Sequence, residues 1–147
     1  MTAIKIRTPD DVVPLVQKYA NARQENFLVI TLDGTHEVIK VHHLTKGLVN
    51  KTMIHPREAF YHAIKENATS VIFIHNHPSG HVEPSEEDRD ITSRLNMASV
   101  LMGFNMLDHL IIAKSGRYYS FLGNGDIKNK FSMSQLRDYV TSLPEAC

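Results

Sequence analysis

The chain contains no tryptophan and a single cysteine, Cys147, at its last position. One thiol closes no intrachain disulfide and builds no thiolate zinc cluster, so both frameworks are excluded within one chain. Such sparing use of cysteine suits a reducing compartment, and a cytoplasmic location is expected. Long hydrophobic runs are missing too. Nothing approaches the ~18 residues of a membrane span, and the opening MTAIKIRTPDD has no apolar signal region, so no membrane association is expected. Neither sign of charge prevails: 16 Lys and Arg face 16 Asp and Glu. A domain-wide basic footprint for nucleic acid is therefore lacking, which leaves only a local patch. Repeats, low-complexity tracts and linkers are also absent. All 147 residues read as one domain, long enough to bury roughly 68–70% of its unfolded surface without a covalent staple.

Histidine is what the chain has in quantity, nine in all, several of them mid-chain. Around them the pattern is mixed. Thr8-Pro9-Asp10-Asp11 starts a helix, with proline in the first turn and acids at the positive dipole end; Val12, Val13, Leu15, Val16 and Tyr19 give it an apolar stripe. Phe27 to Leu32 is a β-rich run ending at the hairpin signal Asp33-Gly34, and Val38 to Leu44 is the returning strand. Residues 46–54 read as a turn and a short extended piece. Pro56 opens a helix with Phe60, Tyr61, Ala63 and Ile64 as its apolar positions. Ser70 to Ile74 is a continuous apolar run of the kind a central strand shows. Ser85 starts the clearest helix, carrying Ile91, Leu95, Met97, Ala98, Leu101 and Met102. Leu107 to Ala113, a Lys114-Ser115-Gly116 turn and Tyr118 to Leu122 form a closing hairpin, and Ser132 to Leu143 reads as a helical tail. The expected fold class is α+β, a single mixed sheet flanked by helices.

The chemistry concentrates between His75 and Asp88, in His-Asn-His-Pro-Ser-Gly-His-Val-Glu-Pro-Ser-Glu-Glu-Asp. His75 and His77, two apart at a strand end, point to one face and can reach one ion. Pro78 and Gly80 stop the strand and turn the chain back over that face. Ser85 and Asp88 have capping-box spacing, which fixes Asp88 in the first helical turn where the loop returns. Each feature alone is commonplace: a His-x-His pair is more often surface polar residues, and Ser-x-x-Asp is usually only a cap. Adjacent His42 and His43 point to opposite strand faces and read as structural or solvated, while Met97, Met102 and Met106 read as core filler. Together, two imidazoles and a carboxylate leave a fourth position open, the pattern of a catalytic zinc site. Nucleobase deaminases need His-x-Glu and a later Pro-Cys-x-x-Cys, which this chain lacks. A cupin barrel would not follow the pair with a long helix, and a TIM barrel needs about 200 residues.

His-x-His-Pro, six residues, then Ser-x-x-Asp resembles the signature of the JAMM metalloenzymes, the group with the JAB or MPN domain. The fuller wording His-Asn-His-Pro-Ser-Gly…Pro-Ser-x-x-Asp looks like its RadC branch. Phe27…Leu32-Asp33, His55-Pro56-Arg57-Glu58, Asp108-His109-Leu110-Ile111 and Tyr118-Tyr119-Ser120 are supporting matches. The likeness covers about residues 20–125 as the domain core, with 126–147 as the helical tail. It implies an MPN/JAB-like, layered fold akin to that of cytidine deaminases. RadC proteins usually carry an N-terminal helix-hairpin-helix region, and the sequence leaves no space for one, so a stand-alone catalytic-type domain is expected. His81-Val82 stands where Asp-Pro is common in this branch, beside the site, and bears on substrate preference.

The resemblance implies a zinc cofactor held by His75, His77 and Asp88, and hydrolysis of an amide or isopeptide bond in a protein or peptide substrate. It maps the family's general base onto Glu25, just upstream of the first strand, with Glu58 as competitor. It maps the oxyanion stabiliser onto Ser85. A different class stays open beside the enzyme: a non-catalytic metal-binding module associated with DNA repair or with a protein partner. Oligomeric state is not legible.

Overall fold

The computed structural model describes residues 3–47 and 54–142. The extended piece expected over 46–54 lies largely outside the described residues. The architecture is α+β, as expected: one five-stranded mixed sheet with helices on both faces. The order is β2-β1-β3-β4-β5, where β1 is Asn26–Leu32, β2 Val38–Lys46, β3 Ser70–Asn76, β4 Asn105–Ile112 and β5 Tyr118–Ser120. β1 and β2 form one antiparallel hairpin, and β4 and β5 the other. β3 lies between them, antiparallel to β1 and parallel to β4.

The central place of β3 follows from its sequence. All seven of its residues are buried, because alternate side chains enter two different cores and neither face meets water. Val71 and Phe73 join Phe27, Val29, Phe60, Ile91 and Leu95 on one face. Ile72 and Ile74 join Leu28, Ile30, Leu110 and Ile112 on the other, under α1 (Val13–Ala20). Each such apolar side chain contributes about 1.5–3 kcal/mol by leaving water, so this strand anchors whatever hangs from its end.

The β1–β2 connection is tighter chemistry than Asp33-Gly34 alone implies. Asp33 Oδ1 accepts from the amides of Thr35 and Glu37 and from the Thr35 hydroxyl. The residue with positive φ is His36 (64°), rather than Gly34. The helix expected from Pro56 forms in two pieces, α2 (Pro56–Ala59) and α3 (Tyr61–Lys65). At the joint, Phe60 has φ −104° and ψ 1°, and its ring sits between Phe73 and Phe104 at 5.6 and 5.5 Å. Burying that ring overrides a continuous helical path. Tyr61 and Ile64 consequently face solvent, against expectation, while Phe60 and Ala63 are buried.

The fourth helix, α4 (Glu86–Met102), crosses from β3 back to β4 and ends at Gly103, whose φ of 84° is the left-handed stop. Ile91, Leu95, Met97 and Ala98 are buried as expected, but Leu101 and Met102 are exposed: Leu101 lies off the stripe of Ile91, Leu95 and Ala98, and Met102 sits in the last turn before Gly103. The tail forms α5 (Met133–Ser142), which packs Tyr139 and Leu136 against the α4 core. Among the described residues no helix is long and apolar enough to cross a membrane.

Candidate metal centre

His75 is the sixth residue of β3, and His77 follows just beyond the strand's last residue, Asn76. The His77 amide still donates to the carbonyl of Ile112 on β4 (3.0 Å), which carries the strand direction one residue further. The two imidazoles therefore share a face. Their Nε2 atoms are 3.1 Å apart. Asp88 arrives from the first turn of α4, set by the capping box as the spacing predicts. The Asp88 amide donates to Ser85 Oγ (3.1 Å), and the Ser85 amide donates to Asp88 Oδ2 (2.9 Å). Asp88 Oδ1 lies 3.0 Å from His75 Nε2, and Oδ2 lies 3.1 Å from His77 Nε2. Around an ion with tetrahedral bonds of about 2.0–2.1 Å, ligand atoms stand roughly 3.3 Å apart. The three side chains are thus spaced as a ligand set.

The hydrogen bonds behind the rings decide which nitrogens face inward. Thr92 Oγ1 lies 2.6 Å from the Asp88 backbone oxygen, which can only accept, so the hydroxyl donates there. The same Oγ1 lies 2.6 Å from His109 Nδ1, which must then be the protonated nitrogen of that ring. In neutral His109 the other nitrogen, Nε2, accepts. It meets His75 Nδ1 at 2.9 Å, so His75 carries its proton on Nδ1 and turns a bare Nε2 inward. His77 reaches the same state by a shorter route, since its Nδ1 lies 2.8 Å from the carbonyl oxygen of His81. Two lone pairs and a carboxylate converge on one point. A proton on one Nε2 or a cation between the two relieves that arrangement, and the donor set of two imidazoles and one carboxylate fits zinc. His75, Asp88 and His109 are 1%, 0% and 0% exposed. Phe27 stacks on His75 and Phe121 on His109, at 5.7 and 4.8 Å.

Glu25 enters from the other side. Its Oε1 is 3.9 Å from His77 Nε2, and ligand atoms of Glu25, His75 and His77 all lie within 4.8 Å of one another. A clamp built on Asn76 fixes its backbone. Asn76 Oδ1 accepts from the Asn26 amide (2.6 Å), Asn76 Nδ2 donates to the Gln24 carbonyl (3.0 Å), and the Glu25 carbonyl accepts from the Gly47 amide (2.7 Å). The middle residue of His-x-His therefore pins the two neighbours of Glu25. Glu58, the competing candidate, is an exposed first-turn residue of α2, in a shallow groove with His43, Leu44 and Tyr61. Ser85 Oγ accepts the cap bond with a lone pair, so its O–H remains available as a donor.

Asn76, Thr92 and His109 escaped the reading of the sequence as site residues. Asn76 stood inside the motif, and His109 inside a flanking match, without a role. Their roles depend on which strand lies next to which. Beyond them, buried Asp108 ties β4 to the segment after β5, accepting from the Ser120 hydroxyl and the amides of His109 and Leu122. Burial pushes its carboxyl above the usual range, against the pull of those donors.

A mixed sheet presenting two histidines and an aspartate at the end of its central strand is the architecture of a JAB-type domain. Residues 6–126 match the RadC-like JAB domain family, and the chain belongs to it. Its relatives include a UPF0758 protein of Trichlorobacter lovleyi, 47% identical over 103 residues, which are 70% of this chain and 44% of that protein. A UPF0758 protein of Methanospirillum hungatei is 45% identical over 113 residues, 76% of this chain and 50% of the relative. One of Rubrobacter xylanophilus is 40% identical over 121 residues, 82% and 52% of the two chains. The chain spans about half the length of the curated relatives it matches.

Proposed function

We propose that the protein is a zinc-dependent hydrolase that cleaves an amide or isopeptide bond in a protein or peptide substrate. The observation that carries this reading is the pair of bare Nε2 atoms facing each other at 3.1 Å, with the Asp88 carboxylate against both. His75, His77 and Asp88 hold the ion. When bound, zinc supplies Lewis acidity, drawing the pKa of water toward ~7 and polarising a carbonyl.

The chain's own residues do the rest. Glu25, its backbone fixed by the Asn76 clamp, takes the proton of the attacking water and hands it to the departing amine. The Ser85 hydroxyl, its acceptor side occupied by the helix cap, donates to the oxygen that gains negative charge. The relay from Thr92 through His109 holds His75 with its lone pair forward throughout. The even balance of charge offers no broad attraction for nucleic acid, which favours a protein or peptide substrate.

The test uses zinc-loaded protein against a panel of peptide and ubiquitin-like isopeptide conjugates. Glu25→Gln should keep the fold and zinc at this centre yet lose roughly 10²–10⁴-fold in turnover, the usual worth of positioned acid–base catalysis. Asp88→Ala should lose ion and turnover together, and Glu58→Gln should be unchanged. Full activity in Glu25→Gln refutes the assigned base. Zinc binding without cleavage anywhere in the panel refutes the hydrolase in favour of a metal-binding module.

A further inference from the structure

A second group of potential ligands meets where the β2 edge approaches α3. His62 lies in α3 and Glu66 is that helix's C-cap. Four residues apart, they lie on one side of the helix. His42 projects from β2 opposite Val29, toward the same helix. Ligand atoms of the three all lie within 4.8 Å of one another. Glu66 Oε1 contacts His42 Nε2. The fully buried Thr31 hydroxyl lies 3.1 Å from Glu66 Oε2 and orients the carboxylate from behind. The His42 and His62 rings stack at 3.8 Å and 7°, and the Tyr61 ring stands edge-on to His62 at 5.0 Å.

We propose that His42, His62 and Glu66 form a second metal site, which takes a divalent late first-row ion such as zinc or copper(II) and ties β2 to α3.

Two imidazoles and one carboxylate suit those ions, whereas calcium and magnesium seek an all-oxygen shell. Thr31 supplies the outer support that ligating carboxylates commonly have. Glu66 is 19% exposed and His42 8%, so a further coordination position opens to solvent. The opposing charges are Lys40 and Lys65, both exposed, which weaken a dication's binding only through screened interactions. Closing the set around an ion requires the stacked rings to splay until their nitrogens stand roughly 3.3 Å from the carboxylate and each other.

The test is a stoichiometric titration of the full metal-free chain with zinc by calorimetry, repeated with cobalt(II) by visible spectroscopy. Wild type should take two ions. His62→Ala should take one, with the affinity of the His75 centre unchanged. His75→Ala/Asp88→Ala should also take one, removed in turn by Glu66→Gln. His62 is partly exposed, so its variant should fold; circular dichroism checks this. A wild type that binds one ion, lost on His62→Ala and kept in His75→Ala/Asp88→Ala, supports this site and counts against the hydrolase centre. If His62→Ala and Glu66→Gln bind as many ions as wild type, or change only the melting temperature, the cluster is a hydrogen-bonded brace and the proposal fails.

Discussion

Thr92→Val is the most searching perturbation of the metal centre, because it changes one atom type at a position that touches neither ion nor substrate. Valine replaces the hydroxyl by a methyl group of similar volume, so packing around the 1%-exposed site is kept. Two bonds go: the one to the Asp88 carbonyl and the one from His109 Nδ1. The carbonyl keeps its place in the helical ladder of α4, so the stranded group is the His109 N–H. An unsatisfied buried donor costs about 1–3 kcal/mol. In a domain of this size that lowers Tm by roughly 3–9 °C. His109 can escape the penalty by moving its proton to Nε2, but it then donates to His75 Nδ1 and forces the His75 proton onto the inward nitrogen. Either path disfavours the ion, and loss of such outer support typically costs 10–100-fold in metal affinity. Thr92→Ser restores the hydroxyl and should recover most of both quantities. Chelator competition at neutral pH measures the affinity, and melting of the metal-free protein measures the stability. Wild-type zinc affinity in Thr92→Val would refute the relay, whatever happens to Tm.

Asn76→Ala removes the acceptor of the buried Asn26 amide and should cost about 1–3 kcal/mol; because it frees the backbone around Glu25, kcat should fall further than zinc affinity, and an unchanged kcat rules out the clamp. Stripping the metal should lower Tm without unfolding the chain at room temperature, since the core closes without it; at free zinc a hundredfold above Kd the ion contributes about 2.7 kcal/mol, and collapse of the circular dichroism spectrum on chelation would make the ion structural instead. Asp108 is held protonated to higher pH in the fold than in the unfolded chain, so its contribution is full below the ordinary carboxyl range and is lost as pH rises through the raised value. Relative to wild type, Asp108→Asn should therefore gain stability from about pH 4 toward neutrality, and parallel melting profiles would contradict that sign.

Much of this site was legible because it is written locally. The apolar run of β3, the pair at its end, the Pro and Gly that break it and the Ser85–Asp88 cap are all short-range signals, and each acts through the backbone geometry it names. What was not legible is non-local. Nothing near His109 in the sequence says that β4 lies parallel to β3 with Phe73 opposite His109, so a buried imidazole one strand away looked like part of a flanking match. His42 met the same fate: a strand histidine read as structural or solvated sits against a carboxylate 24 residues later. The helix at Pro56 failed for another reason. Periodicity counts apolar residues without weighing them, and one phenylalanine with two aromatic partners bent the chain away from the pattern that Tyr61 and Ile64 completed. At the far end of α4, Leu101 falls off the stripe of Ile91, Leu95 and Ala98, and Met102 lies in the last turn before Gly103, where little covers it.

Among the described strands β3 and β4 form the one parallel pair, and α4 must leave the end of β3 to carry the chain back for it. The segment from Pro78 to Pro84 spans that departure, anchored by His77 at one end and by the Ser85 cap at the other. Its interior supplies little to the centre beyond the His81 carbonyl, a group every residue type possesses. Gly80 (φ 88°) and Val82, buried against Ile111 and Phe121, set the path of that segment, whereas the exposed side chains of Ser79, His81 and Glu83 can be exchanged without altering the residues of the centre. The rim of the centre can thereby be rewritten by a handful of codons while the histidines and the aspartate beneath it stay as they are.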